Sequence, residues 1–421
     1  YSGQSSLSPE INSIEEVQVI TGTFNAEYGE ALSGVVNQVT KVAGDKFDGN
    51  VSFYSGDYVS SNSDIFTNID DVNPSDVYNI QGFISGPIPG IESFAKIFLS
   101  GRYNYDEGSI YGQRVFNPPD SSDFSANNSE DWYVGSTGDS SYVPMNSNQR
   151  LSLQAKLALN VGGGKGLVLS GFYQDSKYRD YNHLYKLNPD GDYNRYQKSI
   201  LGIASYTLLL SNAAFIDFSL SGLQSEYNQY VYENPLDSRY VDPAKKQYVS
   251  GNAFLTAGTE NWHFNHTTTS ITGKTDFTWQ VDNINQIKTG LDFTFHTIEY
   301  EDFQIIIDAS TNYKPMIDSG GFTYNTYQAK PFQFAYYIQD KIEIDYLIVN
   351  VGLRYDYFQP DGKYLIDPNN ISVLDELQPP YPDSVQADAT SKSQISPRIG
   401  LSYPISDQGA IHISYGHFFQ I

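Results

Sequence analysis

Thirteen stretches of this chain alternate apolar and polar residues with a period of two, and the links between them are by turns very short and very long. A period of two marks a strand with one face hidden from water. Leu151, Leu153, Ala155, Leu157, Leu159 and Val161 alternate with Ser152, Gln154, Lys156 and Asn160. Ile287, Leu291, Phe293 and Phe295 stand against Lys288, Asp292, Thr294 and His296. Leu347, Val349, Val351, Leu353, Tyr355 and Tyr357 stand against Asn350, Gly352, Arg354 and Asp356. Ile395, Ile399, Leu401 and Tyr403 stand against Gln394, Ser396, Arg398 and Ser402. The predicted strands are 47–58, 76–86, 94–108, 149–161, 166–182, 193–211, 213–228, 266–281, 285–302, 330–343, 346–359, 394–405 and 409–420.

Six links are tight: 86–90, 162–165, 211–212, 282–284, 343–345 and 407–408. The other six are mostly long and polar, among them 59–75, 109–148, 229–263, 303–328 and 360–393. Barrels of the outer membrane join short periplasmic turns to long external loops. Strict alternation over twelve links is foreign to a sandwich or a propeller, and a soluble all-β array is the plainer alternative. The fold predicted is all-β, a transmembrane antiparallel β-barrel. Arg102, Gln154, Lys156, Lys288, Asp292, Arg354, Asp356 and Arg398 then face the lumen. There they line a water channel or pack against an internal plug, and the pattern itself favours neither.

Composition narrows the class. No apolar run approaches the roughly 20 residues of a transmembrane helix, whereas a barrel strand needs apolar residues only at alternate positions. Tyrosine, 35 residues of it, suits strands and the aromatic girdles of a barrel. Pairs near strand ends, such as Tyr103 with Tyr105 and Tyr336 with Tyr337, fit girdles. A net charge of -24 argues against nucleic acid. The acidic loops, with Asp64, Asp70, Asp71 and Asp76, read first as solvated surface. Hard-oxygen binding of calcium is the sharper alternative, although no spacing matches an EF-hand. Cysteine is absent, so disulfides and thiolate metal sites are excluded.

The search for catalytic or metal chemistry finds none to nominate, and no enzyme, cofactor or metal is expected. Gly162-Gly163-Gly164-Lys165 lacks the Ser/Thr and the helix of a phosphate loop and reads as a turn. His263 and His266 sit close together at an external loop with no third ligand evident. His412 and His417 fall on opposite faces of one strand.

Residues 14–41 read IEEVQVITGTFNAEYGEALSGVVNQVTK, two short strand patterns around a glycine-punctuated stretch. The run Glu16-Val17, Val19, Gly22, Ala26, Tyr28-Gly29, Gly34-Val35-Val36-Asn37 and Thr40-Lys41 resembles the end of the plug domain of TonB-dependent outer-membrane receptors. Residues 86–103, 331–358 and 396–419 look like barrel strands of the same family, so the resemblance covers nearly the whole chain.

The resemblance implies a plug inside a barrel of about 22 strands. Residues 1–45 are then the C-terminal part of the plug and 46–421 the N-terminal part of the wall. About thirteen strands are present, and bacterial single-chain barrels carry even numbers. An open edge is not tolerated in lipid, so the chain is expected to be a fragment, with Ile421 no native terminus. The implied function is ligand-gated import across the outer membrane, energised by the inner-membrane TonB complex through a TonB box missing here. The family's ligands include iron-siderophores, cobalamin, haem, oligosaccharides and peptides, and a surface lipoprotein is a candidate partner. The competing function is a passive porin or structural barrel.

Overall fold

The computed structural model describes residues 7, 10–21, 25–29, 34–162, 165–246, 254–369, 383–406 and 409–419. Near the N-terminus, β1 (Ile14–Thr21) and β2 (Gly34–Thr40) pair as an antiparallel hairpin. The wall follows as one antiparallel ladder. Its strands are β3 (Asp48–Gly56), β4 (Val77–Pro87), β5 (Ala95–Asp106), β6 (Asn148–Gly162), β7 (Lys165–Tyr178), β8 (Asn194–Ser211) and β9 (Ala214–Tyr230). It continues through β10 (Trp262–Gln280), β11 (Asn285–Ile306), β12 (Phe332–Ile344), β13 (Leu347–Gln359), β14 (Lys392–Ser406) and β15 (Gly409–Gly416). Strand order in space is strand order in the chain, and the end strands β3 and β15 do not pair with each other. These are the thirteen predicted strands, their ends moved by four residues at most.

Register fixes two unlike faces. Paired residues share a face, so Leu153, Ile200, Leu220, Ile271, Leu291, Leu353 and Ile399 all point the same way. All seven are exposed. An apolar band turned away from the protein is what a wall in contact with lipid requires. The other face buries Gln154, Lys156, Gln174, Ser199, Arg354, Asp356, Ser396 and Arg398. Tyr336 and Tyr337 divide between the two: Tyr336 is exposed, while Tyr337 is buried and donates to Asp276. The expectation of a girdle pair there is corrected, because neighbours on a strand cannot share a face.

The wall curves around the hairpin. Lys156 on β6 and Arg398 on β14 both touch the segment that contains it. Those strands are eight spacings apart along the ladder.

The tight links are hairpin turns. Gly162 takes φ +76° and pairs with Lys165, so this stretch is a turn; Gly163 and Gly164 lie outside the described residues. Asp282 accepts from the backbone N–H of Ile284 and Asn285, both at 2.8 Å.

The long loops pack on one another at the opposite end. Met145, Tyr185 and Leu255 come from three different loops and form one buried cluster. Arg114 reaches Asp190 at 2.5 Å and Asp139 at 3.2 Å, and Asn188 donates to the Gly258 carbonyl at 2.9 Å. Burial lifts the Asp192 carboxyl above its ordinary value, against the Tyr193 N–H and the Arg179 charge. Loop 360–393 is described only in part, since 370–382 lie outside the described residues.

Candidate functional site

The buried face of the wall carries cations, and the N-terminal segment supplies their partners. Lys96 pairs with Asp45 at 2.6 Å. Lys156 donates to the carbonyl and the hydroxyl of Thr40, both at 2.7 Å. Arg102 faces Glu10 at 3.9 Å, and Lys288 pairs with Glu27. Arg354 donates to the carbonyls of Ala26 at 3.3 Å and Glu27 at 3.5 Å, while its Nε holds Asp356 at 2.7 Å. Arg398 donates to the carbonyls of Asn25 at 2.6 Å and Tyr28 at 2.5 Å.

The densest part of this seat is the turn 25–29. A turn leaves carbonyls without strand partners, and buried carbonyls need donors. Guanidinium groups supply several donors in a fixed plane and stay charged when desolvated. Gln339 adds an acceptor for the Glu27 N–H at 3.3 Å. Ala26 is almost fully buried and lies against Gly352, where an added β-carbon would come within 2.7 Å of its own. The Phe418 ring lies 4.6 Å from the Arg398 guanidinium carbon.

The eight wall residues nominated from sequence therefore fall into groups. Arg102, Lys156, Lys288, Arg354 and Arg398 contact the segment. Asp356 braces Arg354. Asp292 lines a cavity of about 130 Å³ with Gly29, Arg354, Asp356 and Phe419. Gln154 is buried, and its amide has no partner among the described residues.

Of the segment's nominated residues, Ala26, Tyr28 and Gly29 form the turn, and Gly34, Asn37 and Thr40 lie on β2. Asn37 donates to Gln18 across the hairpin at 3.4 Å, and the Lys41 N–H donates to the Ser13 carbonyl at 2.7 Å. Gly22 lies outside the described residues.

Sequence reasoning passed over Glu10, Asn25, Glu27, Asp45, Lys96 and Gln339. An acid in the hairpin loop, Glu27, was a usable signal, but its partner lies 261 residues away. Glu10 is buried, and that burial raises its carboxyl above the ordinary value against the pull of Arg102 and Arg150. The histidines do not assemble. His263 and His266 both lie on β10 but on opposite faces, His263 against the Tyr240 hydroxyl at 2.7 Å. His417 lies beyond the end of β15, a correction to its placement on that strand, and meets the Tyr415 hydroxyl at 2.7 Å. Among the described residues no group of three or more His, Asp or Glu could hold a metal ion.

Comparison with known proteins places this architecture. Residues 204–420 match the family model described as TonB dependent receptor-like, beta-barrel. No curated protein matches the chain. Among solved structures, the outer membrane transporter YddB from Escherichia coli is similar at 14% identity and TM-score 0.57, over 96% of this chain and 55% of that one. The ferripyoverdine receptor of the outer membrane of Pseudomonas aeruginosa is similar at 12% identity and TM-score 0.60, over 97% and 47%. The FrpB iron transporter from Neisseria meningitidis is similar at 15% identity and TM-score 0.56, over 96% and 52%. The chain spans about half the length of these solved proteins. With the family model covering just over half of its residues and an open ladder of barrel strands as its body, the chain belongs to the TonB-dependent receptor family.

Proposed function

We propose that this chain is part of an outer-membrane importer in which residues 1–45 end a plug and residues 46–421 begin the surrounding wall. In this reading the TonB complex pulls the plug to admit a scarce nutrient. The observation that carries it is the seat itself: six wall cations on five strands hold one short segment against the buried face. A passive pore gains nothing from spending its inner charges on an internal segment. The reading is of transport and not of catalysis.

The ligand belongs to the siderophore, cobalamin, haem, oligosaccharide or peptide classes that the family resemblance implies. The similarity to a ferripyoverdine receptor and to an iron transporter supports putting iron chelates first in a screen. The test is uptake by cells that carry the full-length protein with and without its TonB box. Uptake lost on that deletion, together with low conductance of the intact protein in planar bilayers, is the expected result. Steady open conductance with the hairpin in place would sink the reading and revive the porin.

A further inference from the structure

Along β11 to β14 the apolar band on the outside of the wall is broken by a single carboxyl group. Register turns alternate residues outward: Asn285 to Phe295 on β11, Phe334 to Ile344 on β12, Leu347 to Tyr357 on β13 and Ile395 to Tyr403 on β14. Asp340 is the one Asp, Glu, Lys, Arg or His in that outward set. We infer that Asp340 is a lipid-binding residue: its carboxylate holds the ammonium headgroup of a phospholipid against the outside of the wall. The inference rests on the reading of a barrel wall in the outer membrane, and it concerns what surrounds that wall.

The neighbours of Asp340 are apolar on every side. It pairs with Val351 on β13 and with Ile287 on β11, and Ile338 and Ile342 flank it along β12 on the same face. Ile338, Ile344 and Val351 are exposed. Asp340 itself is half-buried, and its Oδ1 has no partner among the described residues. Nearby cations are turned to the other face, where Lys341 pairs with Glu343 and Lys288 with Glu27. β12 lies inside the ladder between β11 and β13, away from its open edges. An acid turned toward lipid is costly to keep and marks a functional position.

Depth selects the occupant. Ile344 ends β12 four residues beyond Asp340, about 13 Å along the strand. At a strand tilt of about 40° this is about 10 Å of depth. Trp279 stands in the same cross-strand row through Ile287, and Tyr346 is exposed in the short turn. Aromatic side chains of this kind mark the level where acyl chains meet headgroups. Asp340 therefore meets a headgroup and not the middle of an acyl tail.

Charge and donors narrow the headgroup. A primary ammonium brings a positive charge and three N–H donors. Such bonds to a carboxylate are the strong ones. A phosphoglycerol headgroup is anionic and is repelled. A trimethylated ammonium keeps the charge but has no N–H to donate. The fit is phosphatidylethanolamine, with its acyl chains over the exposed Ile338 and Leu353.

The test is native mass spectrometry of the full-length protein in mixed micelles at neutral pH. Phosphatidylethanolamine, phosphatidylcholine and phosphatidylglycerol of identical acyl chains are exchanged, and the retained lipids are counted. The wild type is expected to hold one phosphatidylethanolamine roughly tenfold more tightly than either of the others, as one hydrogen bond to a charged group supplies. D340N is expected to lose that preference.

The headgroup series on the wild type decides the matter even if D340N fails to fold. Equal retention of all three lipids by the wild type would overturn the inference; a neutral carboxyl, or one reserved for a basic protein partner, gives that result. So would phosphatidylcholine held as tightly as phosphatidylethanolamine, or a preference that survives in D340N. Loss of TonB dependence would appear in the uptake assay and leave these lipid counts as they are, so the two failures are distinguishable.

Discussion

Gly29 gives up its β-carbon position to Arg354: a methyl group built there would lie 2.7 Å from the guanidinium carbon. Two residues from opposite parts of the chain thus share one volume, and only glycine permits it. Replacing Gly29 by alanine should push Arg354 off the Ala26 and Glu27 carbonyls. Overpacking of this kind costs about 1–3 kcal/mol. The full-length G29A protein should melt lower and leak more current in planar bilayers than wild type. Unchanged leak would show that the turn is not what closes the lumen.

The Glu27–Lys288 pair is largely shielded, with side-chain exposures of 15% and 26%. Either E27Q or K288M alone should weaken the seat by about 1–3 kcal/mol, the range for bonds to charged groups and for leaving one partner unmet. The double variant should lose less than the sum, and the coupling can be read from a double-mutant cycle on thermal unfolding. Strict additivity would deny the pair any role.

Glu10 should make the seat depend on pH in an unusual direction. Its carboxyl is raised above 4.5 by burial. A raised acid holds its proton more tightly when folded, so it contributes stability below its unfolded pKa and loses it as pH rises through the folded value. Hydrogen-exchange protection of residues 10–21 should therefore fall from mildly acid to neutral pH. In E10Q the protection should be flat with pH across that range and higher than wild type at neutrality. Protection that rises with pH would contradict the assignment.

In the long loops the sign reverses at Asp120. Burial raises its carboxyl, but bonds from the Thr137 hydroxyl at 2.6 Å, the Asn117 N–H at 2.9 Å and the Thr137 N–H at 3.0 Å outweigh it and leave it lowered. Its contribution is present above the ordinary 3.8 and is lost as pH falls through the lower folded value. D120N should cost about 1–3 kcal/mol of loop stability at neutral pH. Limited proteolysis between residues 107 and 147 should quicken in the variant, and in wild type only in strong acid.

Ile271 belongs to the exposed apolar band, half open to its surroundings. A lysine there should destabilise the inserted barrel by about 2–4 kcal/mol if the site lies near the bilayer midplane. Thr272, its neighbour, lines the cavity beside Gly29 on the opposite face. T272K should cost less, and equal losses in folding titrations into lipid vesicles would refute the two-faced wall.

The wall was legible because alternation is a local property. Leu151 to Val161 declare a strand without reference to anything distant, and the tight links set which strands adjoin. The seat was legible by halves. Lys288, Arg354 and Arg398 could be nominated as inward cations from parity alone. Their partners could not be named, because Glu27 and the carbonyls of Asn25 and Ala26 are brought to them only by closure over hundreds of residues. Backbone carbonyls also carry no signature in a sequence. The girdle pair at Tyr336 and Tyr337 failed for a plainer reason, since adjacency in the chain was taken for adjacency on a face.

The buried cluster of Met145, Tyr185 and Leu255 ties three long loops into a single body. Such loops cannot vary one at a time. Trimming or exchanging any one of them strips the core from the other two, so reshaping this surface requires exchanging the whole assembly or confining changes to its outer skin.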